Sequence, residues 1–286
     1  MVKGTNDRFF NSIVYVLLAI VAVSCLFPIL YVVSVSLTPY SEVIKNGGFQ
    51  VIPQKLTFDA YRSLLIERTL PKSMGVSVVI TILGTALSLL LTLLGAYPLS
   101  RKNLPGRTPI LLFIVFTMLF SGGLIPTYLV VKDLGLTNTI WAMIVPNALA
   151  TFNMLIMKTF FESLPEELFE SARIDGAREF RILWKIAIPL SIPSLMTIGL
   201  FYMVAQWNTF FSAIIYITNR ELHPLQVVVR NMLTMSQSTE MAAEAIMPTM
   251  TLQMAAVVLA SLPIILVYPF IQKHLTKGMM IGAIKG

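Results

Sequence analysis

Six stretches of this chain carry almost no ionisable side chain away from their ends: residues 12–36, 73–99, 108–131, 139–161, 186–217 and 250–272. A helix needs roughly 20 apolar residues to cross a hydrocarbon core of about 30 Å, and each stretch is long enough. The predicted fold is therefore all-α and integral to a membrane, with six transmembrane helices in a single domain over residues 1–286. The first stretch follows Lys3 and Arg8, as the apolar part of a signal peptide does. Its apolar run is too long for that, and no small-residue cleavage site follows it, so it reads as an uncleaved anchor.

Composition agrees: 56% of the 286 residues are hydrophobic, 12% are charged and the mean hydropathy is +0.78. A soluble domain carries about 25% charged residues. Cys25 is the one cysteine, so a disulfide framework and a thiolate metal cluster are both excluded. His223 and His274 have no partner at metal-ligand spacing, and no metal site is expected.

The net charge of +7 could suggest nucleic acid, but the placement of the bases argues for topology. With the N-terminus inside, the cytoplasmic face holds thirteen of the 21 Lys and Arg residues, and most of the outer ones lie in longer loops. The short loop Ser100–Arg107 carries Arg101, Lys102 and Arg107 with no acid. Both termini are expected in the cytoplasm and no nucleic-acid partner is expected.

No G-x-x-x-x-G-K-[ST], H-E-x-x-H or G-x-S-x-G occurs, nor any pair of intramembrane carboxylates. The chain has no phosphate cradle, no catalytic residues and no proton relay of the kind intramembrane acids mark. Uphill transport by such a protein would draw its energy from another polypeptide.

Between the fourth and fifth stretches lies a polar segment, residues 163–189. Ser163 and Glu166 are spaced as a capping box, which predicts a helix start there. Leu164, Leu168 and Ala172 recur as one apolar stripe, with Glu166, Glu170 and Arg173 on another face. Asp175-Gly176 ends this helix, glycine being at ease in the left-handed cap conformation. A second helical pattern places Phe180, Leu183, Trp184 and Ala187 on one side, and Pro189 and Pro193 mark entry to the fifth span. The pattern suits a helix-turn-helix shaped for docking and also a helix resting on the lipid interface.

The order Glu170, Ser171, Ala172, Gly176, Ile186, Ile188, Pro189 resembles the EAA loop of bacterial ABC importer permeases. That family usually has Ala at the position of Ser171 and often Leu at that of Ile188. KTFFESLPEE (Lys158 to Glu167) and the ending GAIKG are similar to maltose-type sugar permeases. DRFFNSIVY, HPLQVVVRNML and KGMMIGAIKG resemble a branch associated with complex oligosaccharides, including fragments of acidic polysaccharides.

The resemblance implies a type I ABC importer permease fold and a non-enzymatic subunit in the bacterial cytoplasmic membrane, with the sugar crossing by alternating access. The implied partners are a second homologous permease, a cytoplasmic ATPase dimer, an extracellular or periplasmic sugar-binding protein, an oligosaccharide and membrane lipid. ATP and Mg would sit on the ATPase, with no cofactor on this chain. Glu170, Ser171, Ala172, Asp175, Gly176, Ala177, Phe180 and Pro189 would form the coupling surface. Glu170 would face basic groups, Ala172 would allow close packing and Gly176 would make the turn. The tail with Lys277 and Lys285 would reach toward the ATPase or stay solvated.

Sugar recognition needs hydrogen-bonding groups beside aromatic faces. Tyr202, Gln206, Trp207 and Asn208 in the fifth span, and Asn147 and Asn153 in the fourth, are the pathway candidates. The same residues also serve as helix–helix glue in membranes. Loop 218–249 is expected outside, where it meets a binding protein or simply connects two spans. A self-contained secondary carrier or channel for a small polar solute is the alternative, disfavoured by the lack of an evident inverted repeat. A membrane scaffold is a third reading, which the EAA spacing argues against.

Overall fold

The computed structural model describes residues 5–235 and 249–283, with no strand among the described residues. Two long helices match the first two apolar runs, α1 (Thr5–Ser36) and α4 (Thr69–Ser100), with the short helices α2 (Tyr40–Lys45) and α3 (Asp59–Ile66) between them. The third run is built from α5 (Arg107–Leu119) and α6 (Leu124–Asp133), bent by 113°. The fourth is built from α7 (Trp141–Ile144), a 3-10 turn Val145–Asn147 and α8 (Thr151–Glu162), bent by 53°. Among the described residues three helices are long and apolar enough to cross a membrane, or up to six spans if each bent pair counts as one.

The breaks have local causes. Gly123 stands at φ +88 between α5 and α6, a conformation that a side chain resists. Pro146 cannot donate to a helical carbonyl and sits in the 3-10 turn after α7. The fifth run, 186–217, is divided twice. Leading up to it and into its first residues are α9 (Glu166–Ile174), α10 (Glu179–Ile182), a π-helical turn Leu183–Ala187 and α11 (Ile188–Leu190). The Glu179–Leu190 segment meets α12 (Ile192–Trp207) at 85°, and α12 gives way to α13 (Phe211–Tyr216). Pro189 and Pro193 flank this bend, where each lacks the N–H that would continue the ladder. The last described helices are α14 (Leu225–Met235) and α15 (Met250–Ala283).

The chain divides into two compact units. In the first, Met1–Pro71 with Val229–Leu262, the Tyr31 hydroxyl donates to Gly48 O at 2.8 Å and the ring stacks on Phe49. Residues 16–30 of α1 are exposed throughout, as suits a helix surrounded by lipid or another chain. In the second, Lys72–Val228 with Pro263–Gly286, one core joins Leu93, Ala96 and Tyr97 of α4 to Phe161 of α8, Phe169 of α9 and Tyr202 of α12. A second core gathers Ile80, Met143, Ile144, Ala213 and Tyr216. The part of loop 218–249 from residue 236 to 248, and Lys285, lie outside the described residues.

Candidate functional site

The polar segment folds as a helix-turn-helix. At its turn Gly176 has φ +79, Ala177 N–H donates to Ala172 O at 2.9 Å and Gly176 N–H to Arg173 O at 3.0 Å. This is a Schellman cap, with Asp175 as the last half-helical residue. The capping box expected at the start does not form. Ser163 ends the preceding helix instead, its hydroxyl donating to Phe160 O at 2.7 Å, and Pro165 holds the cap position of α9. Glu166 is drawn to arginines: Arg101 lies 3.2 Å away and Arg173 3.1 Å.

The faces also differ from the expected stripe. Phe169 and Ala172 are buried, whereas Leu168 is exposed. In the second limb Ile182, Leu183 and Ala187 are buried while Phe180 and Trp184 are exposed. The π turn over Leu183–Ala187 alters the helical phase, so Phe180 and Trp184 leave the side they were expected to share with Leu183 and Ala187. The outcome is an apolar surface of Leu168, Ile174, Phe180 and Trp184, with Ile174 86% exposed. Glu170 and Ser171 are exposed beside it, and Glu170 pairs with no described residue. Pro189 is exposed in α11, and Ala177 is half-buried.

Behind this surface lies a clasp that sequence reasoning missed. Arg101, just past the end of α4, packs over the Phe169 ring at 3.7 Å and the Tyr97 ring at 4.7 Å. The Tyr97 hydroxyl donates to Glu179 Oε2 at 2.7 Å, and Arg173 Nε to Glu179 Oε1 at 2.9 Å. Burial pushes the Glu179 carboxyl up, but Tyr97 and Arg173 together outweigh it and hold the group below its ordinary range. Arg107 pairs with Glu162, which also holds Lys158. Thus the basic loop after α4 is fastened to the docking segment by charge and by ring contact.

A second feature is a cavity of about 830 Å³. It brings together five of the six pathway candidates: Asn147, Asn153, Tyr202, Gln206 and Asn208. The breaks in the helices open it, because Ser121, Gly123 and Thr209 on its wall lie at or next to them. Phe211, an aromatic residue of the fifth run, adds ring surface, as do Phe210 and Tyr216, which the sequence did not flag, since a helix interruption at 208–210 has no glycine or proline signal. Among the described residues no lysine, arginine, aspartate or glutamate lines it.

Two of these side chains are gripped by α4. The Tyr202 hydroxyl lies 2.7 Å from Thr92 Oγ1 and accepts the Ala150 N–H at 3.2 Å. Gln206 lies so close to Gly84 that a methyl group there would come within 2.6 Å of its Cδ. Trp207 is the one of the six candidates that does not line this cavity. It is 4% exposed and lines a different, apolar cavity of about 670 Å³ with Val78, Leu200 and Ile264, whereas Asn208 borders both cavities.

Broken apolar helices around a polar cavity, beside a helix-turn-helix with exposed apolar side chains, fit a membrane transport subunit. The chain belongs to the family of binding-protein-dependent transport system inner membrane components, whose model matches residues 76–281. It is 44% identical to the polygalacturonan/rhamnogalacturonan transport system permease protein YtcP of Bacillus subtilis, over 98% of this chain and 100% of that protein. Protein LplC of Bacillus subtilis is 46% identical, over 91% of this chain and 89% of that one. A chain in the crystal structure of a bacterial ABC transporter that imports the acidic polysaccharide alginate superposes with a TM-score of 0.88 at 33% identity. That match covers 96% of this chain and 99% of the other.

Proposed function

We propose that the chain is a transmembrane permease subunit of an ATP-driven importer of oligosaccharides, and that its substrates are fragments of an acidic polysaccharide. The observation that carries the reading is the pairing of a polar, aromatic-edged cavity with an exposed apolar docking segment in one chain of this family. The substrate class is supported by relatives named for polygalacturonan, rhamnogalacturonan and alginate.

In this reading Leu168, Ile174, Phe180 and Trp184 enter a groove on a cytoplasmic ATPase, and Glu170 meets basic groups there. Burying that apolar surface contributes roughly 25 cal/mol per Å². ATP and Mg are held by the ATPase and hydrolysed there, and this chain supplies no catalytic group. Closure of the ATPase pair shifts the docking segments as rigid bodies and alternates access to the cavity. Asn147, Asn153, Gln206 and Asn208 offer amides to sugar hydroxyls, and Phe210, Phe211 and Tyr216 offer ring faces. A second homologous permease closes the other side of the passage, and a binding protein delivers the sugar from outside. Both termini lie in the cytoplasm.

The test is ATP hydrolysis by the purified complex in lipid nanodiscs. Binding protein loaded with oligogalacturonide is expected to stimulate it several-fold, in line with a coupling free energy of about 1–3 kcal/mol. Stimulation by neutral malto-oligosaccharides but not by uronides would contradict the substrate class.

A further inference from the structure

We propose that α4 carries the movement of the docking segment to the sugar cavity, with Arg101 as the positioning residue that locks the two together. The inference rests on the importer reading above and adds a route to it. At its cytoplasmic end α4 meets the docking segment through Arg101, which contacts Phe169 and Glu166 of α9, and through Tyr97, which holds Glu179 of α10. Further along, Thr92 holds the hydroxyl of Tyr202 and Gly84 abuts Gln206, both of which line the cavity. Between Gly84 and Ser100 the helix is unbroken, a rod of about 24 Å at 1.5 Å per residue.

The geometry at Arg101 is that of a lock. Its side chain is 13% exposed, and Nε and Nη2 are buried without a hydrogen-bond acceptor. A buried guanidinium leaves donors unsatisfied only at a cost, which the ring contacts with Phe169 and Tyr97 and the ion pair with Glu166 offset. Lysine offers charge without a flat face, so it reproduces the ion pair and loses the ring packing. The route through α12 is interrupted by the 85° bend ahead of it, and α8, which reaches the cavity at Asn153, joins α9 only through the turn at 163–165. By contrast α4 is one continuous helix past its contacts with both cavity residues, with Pro98 in its last turn, so displacement at its cytoplasmic end is carried to the cavity.

The experiment uses the whole complex in proteoliposomes and reads labelled oligogalacturonide uptake, ATP hydrolysis and their ratio. For Arg101→Met, subunit recovery and hydrolysis are expected to stay within about twofold of the unaltered complex, while uptake per ATP falls about tenfold. Arg101→Lys should recover part of that ratio, and Thr92→Val, at the cavity end, should lower it again with hydrolysis retained. A purely structural role predicts that recovery, hydrolysis and uptake fall together, and that result overturns the proposal. So does an unchanged ratio in Arg101→Met.

A measurement free of these variants uses spin labels at Ser171 and Val79 in a Cys25→Ala background. Their separation should be the same in resting and vanadate-trapped complexes. A change of about one helical turn, roughly 5 Å, would show that α4 and the docking segment do not move as one body. Absence of ATP-driven uptake in the unaltered complex would instead overturn the importer reading, and the lock with it.

Discussion

Gly176 has φ +79 and nothing within 4 Å of where a Cβ would stand, so what it supplies is backbone freedom rather than room. A β-branched residue there pays only the left-handed conformation, about 1–2 kcal/mol. Gly176→Val should therefore loosen the Schellman turn and lower ATPase recovery with the chain, while Gly176→Asn should be nearly normal. Pull-down of the ATPase checks both, and equal recovery for Val and Gly would contradict the turn. At Gly84 the constraint is space. Gly84→Leu is expected to displace the Gln206 amide and reduce uptake, with membrane level unchanged on immunoblots. Trp207→Ala leaves a void among apolar neighbours, and in soluble cores such a change costs about 3–5 kcal/mol. Its expected signature is poor recovery of the assembled complex rather than altered sugar selectivity.

At the scale of elements, the turn at Asp175-Gly176 was legible because glycine advertises the left-handed cap. The buried face of α9 was not: Leu168 and Phe169 are adjacent apolar residues, and only packing decides which one turns inward. The second limb misled for another reason, since the π turn at Leu183–Ala187 shifts the phase that a 3.6-residue period assumes. Breaks in the spans were equally hidden where no glycine or proline marks them, as at 208–210, whereas Gly122, Gly123 and Pro146 left a trace. The lining of the polar cavity was largely legible, since amides are rare in lipid-crossing helices and five of the six candidate residues share it. The clasp around Arg101 was not, because its members are spread from residue 97 to 179 and only the fold joins them. Its charge state follows from Glu179. A folded-state carboxyl held below its ordinary value of about 4.5 contributes stability that is fully present above that value. That stability is lost as pH falls through the lower folded value. The coupling ratio is therefore expected to be insensitive to this group between about pH 6 and 8, and a mid-range titration abolished by Glu179→Gln would contradict it.

For the whole molecule, the six-span reading fixes which side each loop occupies. Single cysteines at Asn103 and Glu170 in a Cys25→Ala background should escape an impermeant thiol reagent in intact cells, while one at Gln54 should label. In the proposed function ATP hydrolysis by a docked partner, and no ion gradient, moves an acidic oligosaccharide through this subunit. The decisive experiment is uptake of labelled oligogalacturonide into proteoliposomes holding the complete complex, with ATP or a non-hydrolysable analogue inside and binding protein outside. Accumulation is expected with ATP and should persist when proton and sodium gradients are collapsed. Accumulation with the analogue, driven by an imposed gradient, would contradict the proposed function.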